Sequence, residues 1–296
     1  MEGLMGGGTR FFPDLRETGE MIAFKHTVFA LPFAIIALIT AAAPKWPTLW
    51  TWLWVAVAMV SARTAAMAFN RLADHRIDTE NPRTSGRSLP AGRLSRKFAW
   101  AVTGISAAVF LLAAALLGPL CLVLAPPALL VLLGYSLSKR FTAASHLWLG
   151  TALGIAPVGA WIAAAGRIEW PAVVLAGAVA LWVAGFDVIY SLQDEAFDRE
   201  KALYSLPARI GGKPALVIAR LFHLLALVGF FAFALAAGGG PIRLAAVAAA
   251  GVLLAWQHRL IRTYDLKSVD AAFFTANGAL AMVMCVLFVA ARLITT

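Results

Sequence analysis

From Phe98 to Leu117 the chain runs without a single charged side chain, and comparable apolar stretches recur along its whole length. About 20 apolar residues are what a helix needs to cross the hydrocarbon core of a bilayer. Only 14% of the residues are charged and 61% are hydrophobic, with a mean hydropathy of +0.81. A soluble domain carries about 25% charged residues. The sequence therefore predicts an all-α integral membrane protein, since a lipid-embedded segment has to satisfy its backbone polar groups within itself. Nine candidate transmembrane helices are expected: Met21–Ala43, Leu49–Leu72, Lys97–Leu117, Leu120–Leu137, His146–Ala165, Trp170–Leu192, Pro214–Ala236, Ile242–Ile261 and Ala271–Leu293.

Residues 1–20 contain Gly6-Gly7-Gly8 and mixed charges, without the basic, apolar and cleavage regions of a signal peptide. They are expected to form a cytoplasmic tail ahead of a membrane domain covering 21–296. The net charge of +10 does not imply nucleic acid, because the basic residues sit in loops between apolar helices. With the N-terminus inside, 19 of the 25 Lys and Arg residues fall on the cytoplasmic side and 4 on the other, which follows the positive-inside rule. An odd number of spans then puts the C-terminus outside. Cys121 and Cys285 lie within apolar runs and read as packing residues.

Asn70-Arg71-Leu72-Ala73-Asp74-His75-Arg76-Ile77-Asp78 closes the second span. On one continuous helix Asn70, Asp74 and Asp78 would share a face. A second copy, Tyr190-Ser191-Leu192-Gln193-Asp194-Glu195-Ala196-Phe197-Asp198, closes the sixth span. Both copies end outside-to-inside passes four spans apart. That offset suggests two four-helix repeats in parallel orientation plus a ninth helix. Together Asp74, Asp78, Asp194 and Asp198 resemble a clamp for two magnesium ions around a shared diphosphate, with Asn70 adding a neutral oxygen.

Further candidates surround the clamp. Asp187 lies two turns above Asp194, and Arg63 stands in the same relation to Asn70. They could act on substrate or form an ion pair with each other. Arg83 and Arg87, in the basic loop after the first motif, suit phosphate oxygens through bidentate guanidinium geometry. Lys139 and Arg140 close the fourth span on the same side, with Tyr135 one turn before Lys139. A lysine there would neutralise a leaving phosphate, and a tyrosine would face a developing cation. The five histidines show no ligand spacing and read as structural, apart from a weaker reading of Lys25 and His26 as contacts for an acidic aromatic substrate. No phosphate-binding P-loop and no dinucleotide fingerprint is present.

At these residues the chain resembles the UbiA-type intramembrane prenyltransferase superfamily. The resemblance rests on Asn70-Arg71-x-x-Asp74-x-x-x-Asp78, Asn81-Pro82-Arg83-Thr84, Leu89-Pro90-Ala91-Gly92, Tyr135-x-x-x-Lys139-Arg140-x-Thr142 and Asp187-x-x-Tyr190-x-x-x-Asp194-x-x-x-Asp198. It implies a UbiA-like nine-helix bundle with a cytoplasmic-side cavity. It also implies two magnesium ions that bind a polyprenyl diphosphate, and an aromatic acceptor attacking the allylic cation. The lipid tail would leave sideways into the bilayer. The motif forms look most like the 4-hydroxybenzoate polyprenyltransferase branch of ubiquinone synthesis. They also resemble relatives that prenylate 1,4-dihydroxy-6-naphthoate for menaquinone. The residues so implicated are Asp74, Asp78, Asp194, Asp198 and Asn70 for metal; Arg83, Arg87, Lys139 and Arg140 for diphosphate; and Tyr135, Asp187 and Arg63 for the cavity or acceptor. Ala202 departs from the pattern, where many relatives have glycine. A bacterial-type inner membrane location follows. A membrane transporter is the alternative from another class, but the acidic residues cluster at one surface and not at the midplane.

Overall fold

In the computed structural model, residues 15–21, 29–261, 269 and 272–294 are described. Among these every regular element is a helix. In chain order they are α1 (Leu15–Met21), α2 (Leu31–Ala41), α3 (Leu49–Ala73), α4 (His75–Glu80), α5 (Arg96–Leu117), α6 (Pro119–Ser138) and α7 (Ser145–Ala165). They continue with α8 (Trp170–Ser191), α9 (Glu195–Glu200), α10 (Leu206–Ile210), α11 (Gly212–Ala236), α12 (Pro241–Leu260) and α13 (Asn277–Ile294). A π turn, Ala272–Ala276, leads into α13.

Seven helices among the described residues are long and apolar enough to cross a membrane: α3, α5, α6, α7, α8 with its continuation, α11 and α13 with its π turn. The chain is a multi-pass, all-helical membrane protein. The first and eighth expected spans do not meet that description. α2 has 11 residues, and residues 22–28 of its expected span lie outside the described residues. α12 has 20 residues but carries Arg243, Gln257, His258 and Arg259, which lower its hydropathy.

Helix ends follow local chemistry. Thr48 and Ser95 cap α3 and α5 by accepting from the backbone N–H groups of Thr51 and Phe98. Proline occupies the first turn of α2, α6, α8 and α12, where its missing N–H costs nothing. The most buried span is α8, which packs between α7 and α11. Gly150 and Gly154 on α7 let α8 approach so closely that a Cβ on either would meet the carbonyl oxygen of Ala180 or Ala176 within 3 Å. Trp182 of α8 sits at the centre of an aromatic cluster with Phe29, Phe33 and Phe186, and donates its indole N–H to Asn277 Oδ1 at 3.0 Å. Outward faces carry Leu112, Leu130, Val217, Leu224, Val228 and Val252, an apolar surface for lipid.

Both aspartate motifs lie at the same end of the bundle, where α3 and α8 terminate. Neither continues as one helix. Asp74 breaks the first at φ −89°, ψ 6° and Asp194 breaks the second at φ −103°, ψ 4°. This corrects the continuous-helix expectation. The short helices α4 and α9 restart after each break, so Asp78 and Asp198 lie in their first turns. The backbone matches at Asp74 and Asp194, but a 3-10 turn, Leu192–Asp194, precedes the second break and has no counterpart before the first.

Candidate functional site

The loop after the first motif crosses to the second. Arg83 Nε donates to Asp194 Oδ1 at 2.9 Å, and Arg83 Nη2 donates to Oδ2, a bidentate pair. Asn81 Nδ2 adds a third donor to Oδ1 at 3.2 Å, while its own carbonyl oxygen accepts from the Arg83 backbone N–H. Arg83 also donates to the Tyr190 hydroxyl at 3.1 Å. At the rim, Lys201 pairs with Glu80 at 2.7 Å, a second link between the motifs.

Within the first motif, Arg87 Nη1 donates to both oxygens of Asp78 at 2.8 and 2.9 Å. The buried Arg71 lies 4.0 Å from the same carboxylate and donates to the Met21 carbonyl, which ties α1 to the site. Asn70 Nδ2 donates to Asp74 Oδ2 at 2.9 Å, and Arg140 Nη2 donates to Asp74 Oδ1 at 3.1 Å. Burial pushes the Asp74 carboxyl above the ordinary value, against the opposing pull of Arg140 and Lys139. Burial lowers the pKa of the Lys139 ammonium, but Asp198, Asp187, Asp194 and Asp74 outweigh it and hold the group above its usual value. The structure thus gathers Asn70, Asp74, Asp78, Arg83, Arg87, Lys139, Arg140, Asp194 and Asp198 at one mouth.

Asp187 does not pair with Arg63. Its Oδ2 lies 2.7 Å from Nδ1 of His146, a fully buried histidine at the start of α7. Nε2 of that ring accepts from the Leu206 backbone N–H at 3.2 Å, so Nδ1 carries the proton and donates to Asp187. His146, Asn81 and Arg71 are thus site residues that the sequence reading assigned no role. Adjacency to the motif is the one sequence signal for Asn81 and Arg71, and nothing in the sequence ties His146 to Asp187. Lys25 and His26 lie outside the described residues.

Behind the mouth opens a cavity of about 690 Å³ between α3, α5, α6, α7 and α8. Arg63, Asn70 and Tyr135 stand at its polar end, and Met59, Leu124, Leu153 and Val173 extend it through the bundle.

Among the described residues, no three His, Cys, Asp or Glu side chains already surround one point. Asp194, Asp78 and Asp74 are instead paired with Arg83, Arg87 and Arg140. The donor set still fits a hard divalent cation, because its groups are oxygens, and Asp198 Oδ2 is buried with no hydrogen-bond partner.

The chain matches the UbiA prenyltransferase family model over residues 30–289. It is 30% identical over 262 residues to a 4-hydroxybenzoate octaprenyltransferase of Vibrio vulnificus, covering 83% of this chain and 90% of that one. It is 32% identical over 250 residues to one of Thiobacillus denitrificans, covering 77% and 82%. A UbiA homolog from Aeropyrum pernix in its apo structure superposes with a TM-score of 0.81 at 34% identity, over 91% of this chain and 97% of that one. An Archaeoglobus fulgidus UbiA homolog bound to GPP and Mg2+ shares the fold, with a TM-score of 0.72 at 15% identity over 93% and 98% of the two chains. A bundle with paired aspartate breaks at one mouth, matched across nearly its whole length, therefore belongs to the UbiA prenyltransferase family.

Proposed function

We propose that this protein is a magnesium-dependent aromatic polyprenyltransferase of quinone biosynthesis, which moves a polyprenyl group from its diphosphate to 4-hydroxybenzoate or a closely related hydroxylated aromatic acid. The observation that carries this reading is the meeting of the two motifs through Arg83 and Asn81 on Asp194, at the mouth of an apolar cavity. The names of the relatives favour 4-hydroxybenzoate as acceptor.

On this reading Asp74, Asp78, Asp194 and Asp198, with Asn70, hold two magnesium ions, which supply charge stabilisation to the leaving diphosphate. Arg83 and Arg87 exchange their carboxylate partners for phosphate oxygens as substrate arrives. Lys139 and Arg140 neutralise the charge that grows on the diphosphate as the allylic C–O bond breaks and its electron pair departs. The cavity takes the prenyl chain and keeps water from the cation. Tyr135 faces that cation, and Arg63 receives the carboxylate of the acceptor. Asp187, fixed by His146, orients the acceptor beside them. The ring carbon then gives its electron pair to the allylic carbon, and loss of its proton restores the aromatic ring. The architecture that goes with this function is a membrane domain of residues 21–296 behind a tail of residues 1–20. It holds nine crossings, two four-helix repeats plus a ninth helix. The tail and active site face the cytoplasm and the C-terminus lies opposite, in a bacterial inner membrane.

The test is a transfer assay with geranyl diphosphate, offering 4-hydroxybenzoate and 1,4-dihydroxy-6-naphthoate in parallel, with magnesium or with EDTA. Magnesium-dependent prenylated 4-hydroxybenzoate is expected. Product from the naphthoate alone would move the protein to the menaquinone branch, and no product from either would overturn the proposal. Asp74→Ala and Asp194→Ala should each abolish turnover while the protein still folds.

A further inference from the structure

The loop between α4 and α5 carries Arg83 and Arg87, the two guanidinium groups that pair with Asp194 and Asp78. It runs as a series of turns, with no helix of its own. Such a loop keeps its shape through individual contacts. Some lie within it. Thr84 Oγ1 donates to the Asp78 carbonyl at 3.2 Å, the Ala91 N–H to the Arg87 carbonyl at 2.9 Å, and the Arg93 N–H to the Ser88 carbonyl at 2.9 Å. Others come from α1, more than 70 positions earlier in the chain.

Glu17 and Met21 stand one turn apart on α1 and so share a face. The Glu17 carboxylate spans the loop. Its Oε2 accepts from Ser88 Oγ at 2.5 Å, and its Oε1 accepts from Arg93 Nε at 2.8 Å. Arg93 Nη2 in turn donates to the Gly86 carbonyl at 3.0 Å. Gly86 and Ser88 are the chain neighbours of Arg87, so one carboxylate steadies both sides of that arginine. Met21 is buried in a small apolar core with Ala68, Leu72, Leu89, Leu94 and Ala99. Its carbonyl accepts from Arg71 Nε at 3.3 Å. α1 is thus anchored to α3 beside the first motif while its carboxylate grips the loop.

A carboxylate beside a mouth that takes a diphosphate works against the anion through charge, and it also occupies Arg93. Its gain is order, since a loop already held in its binding shape loses less freedom when ligand arrives. We propose that Glu17 is a positioning residue for the diphosphate: from α1 it holds the loop so that Arg83 and Arg87 stay aimed at the mouth while they pass from carboxylate to phosphate oxygens. This inference rests on the function proposed above. It makes part of the N-terminal segment a working component of the site.

The full chain would be compared with Glu17→Ala, Arg93→Gln and the double variant. Calorimetric titration with geranyl diphosphate and magnesium would read binding, and hydrogen exchange would read the amides of residues 81–94. The two substitutions change charge in opposite senses, which separates the roles. Acting through charge alone, Glu17→Ala would tighten diphosphate binding and Arg93→Gln would weaken it. Acting through position, both should weaken it about tenfold, and the double variant should be no worse than the weaker single one. Loop amides should exchange faster in both. In the transfer assay the loss should fall on KM for the diphosphate, whereas a variant that merely loses folded protein would lose kcat. Unchanged or tighter binding in Glu17→Ala would overturn the proposal, as would unchanged loop exchange or a loss confined to kcat. A parent protein that binds no geranyl diphosphate would overturn the proposed function instead, and the exchange data would still decide whether Glu17 holds the loop.

Discussion

Asp198 holds a buried carboxylate oxygen with no hydrogen-bond partner, an arrangement that costs about 1–3 kcal/mol wherever nothing compensates it. If a cation compensates it, Asp198→Asn should leave thermal stability unchanged or raised while cutting magnesium-dependent turnover by at least about tenfold, roughly 1.4 kcal/mol of transition-state stabilisation. Melting curves and initial rates on one preparation would show this split. Asp187 is the opposite case, since its partner is in place. His146→Ala should destabilise the fold by about 2–3 kcal/mol, because a buried carboxylate loses its donor. The four motif aspartates at the mouth were legible in the sequence because a repeat at spacing four is visible without coordinates. Their partners were not. Arg83 reaches Asp194 across 111 positions, and a pairing of that separation leaves no local trace. The same holds for His146, expected to be structural, and Asp187, expected to act on substrate or pair with Arg63, which lie 41 positions apart.

At the level of elements, seven of the nine expected spans were readable from apolar length alone, and so was their helical character. The breaks at Asp74 and Asp194 were not, since spacing of four is equally compatible with one continuous helix. Gly150 and Gly154 signal close helix approach but not which helix approaches. Gly150→Ala should cost about 1–3 kcal/mol by pushing α7 off α8, whereas Gly159→Ala on the same helix meets open space and should be neutral or stabilising. Ala202 offers a cleaner test. It adopts φ 54°, a left-handed conformation that glycine takes without strain. Ala202→Gly should raise stability by up to about 1 kcal/mol, read as a higher melting temperature. The following turn carries the Tyr204 N–H that bonds the Lys139 carbonyl at 2.7 Å, so this loop also steadies the lysine.

For the molecule as a whole, the proposed function makes the apolar cavity the limit on which prenyl chains the mouth can accept. Gly177 lines it two turns from the start of α8, and a side chain there would meet open space. Gly177→Leu should shorten the range of accepted chains, so that turnover with long polyprenyl diphosphates falls while that with geranyl diphosphate persists. Parallel assays over a chain-length series would check it. Cavity shape could not be read from the sequence, because its walls come from five helices whose relative rotation no periodicity reports. The arginine–carboxylate pairs at the mouth have a thermodynamic consequence. A metal ion arriving alone has to break the Arg83–Asp194 and Arg87–Asp78 pairs and leave two guanidinium groups without anions. A metal ion arriving with a diphosphate supplies those anions itself. Binding of the two should therefore be mutually reinforcing. Magnesium should tighten diphosphate binding by the same factor as diphosphate tightens magnesium binding, on the order of 5- to 150-fold. Removing one of the pairs with Arg83→Gln should shrink both factors together.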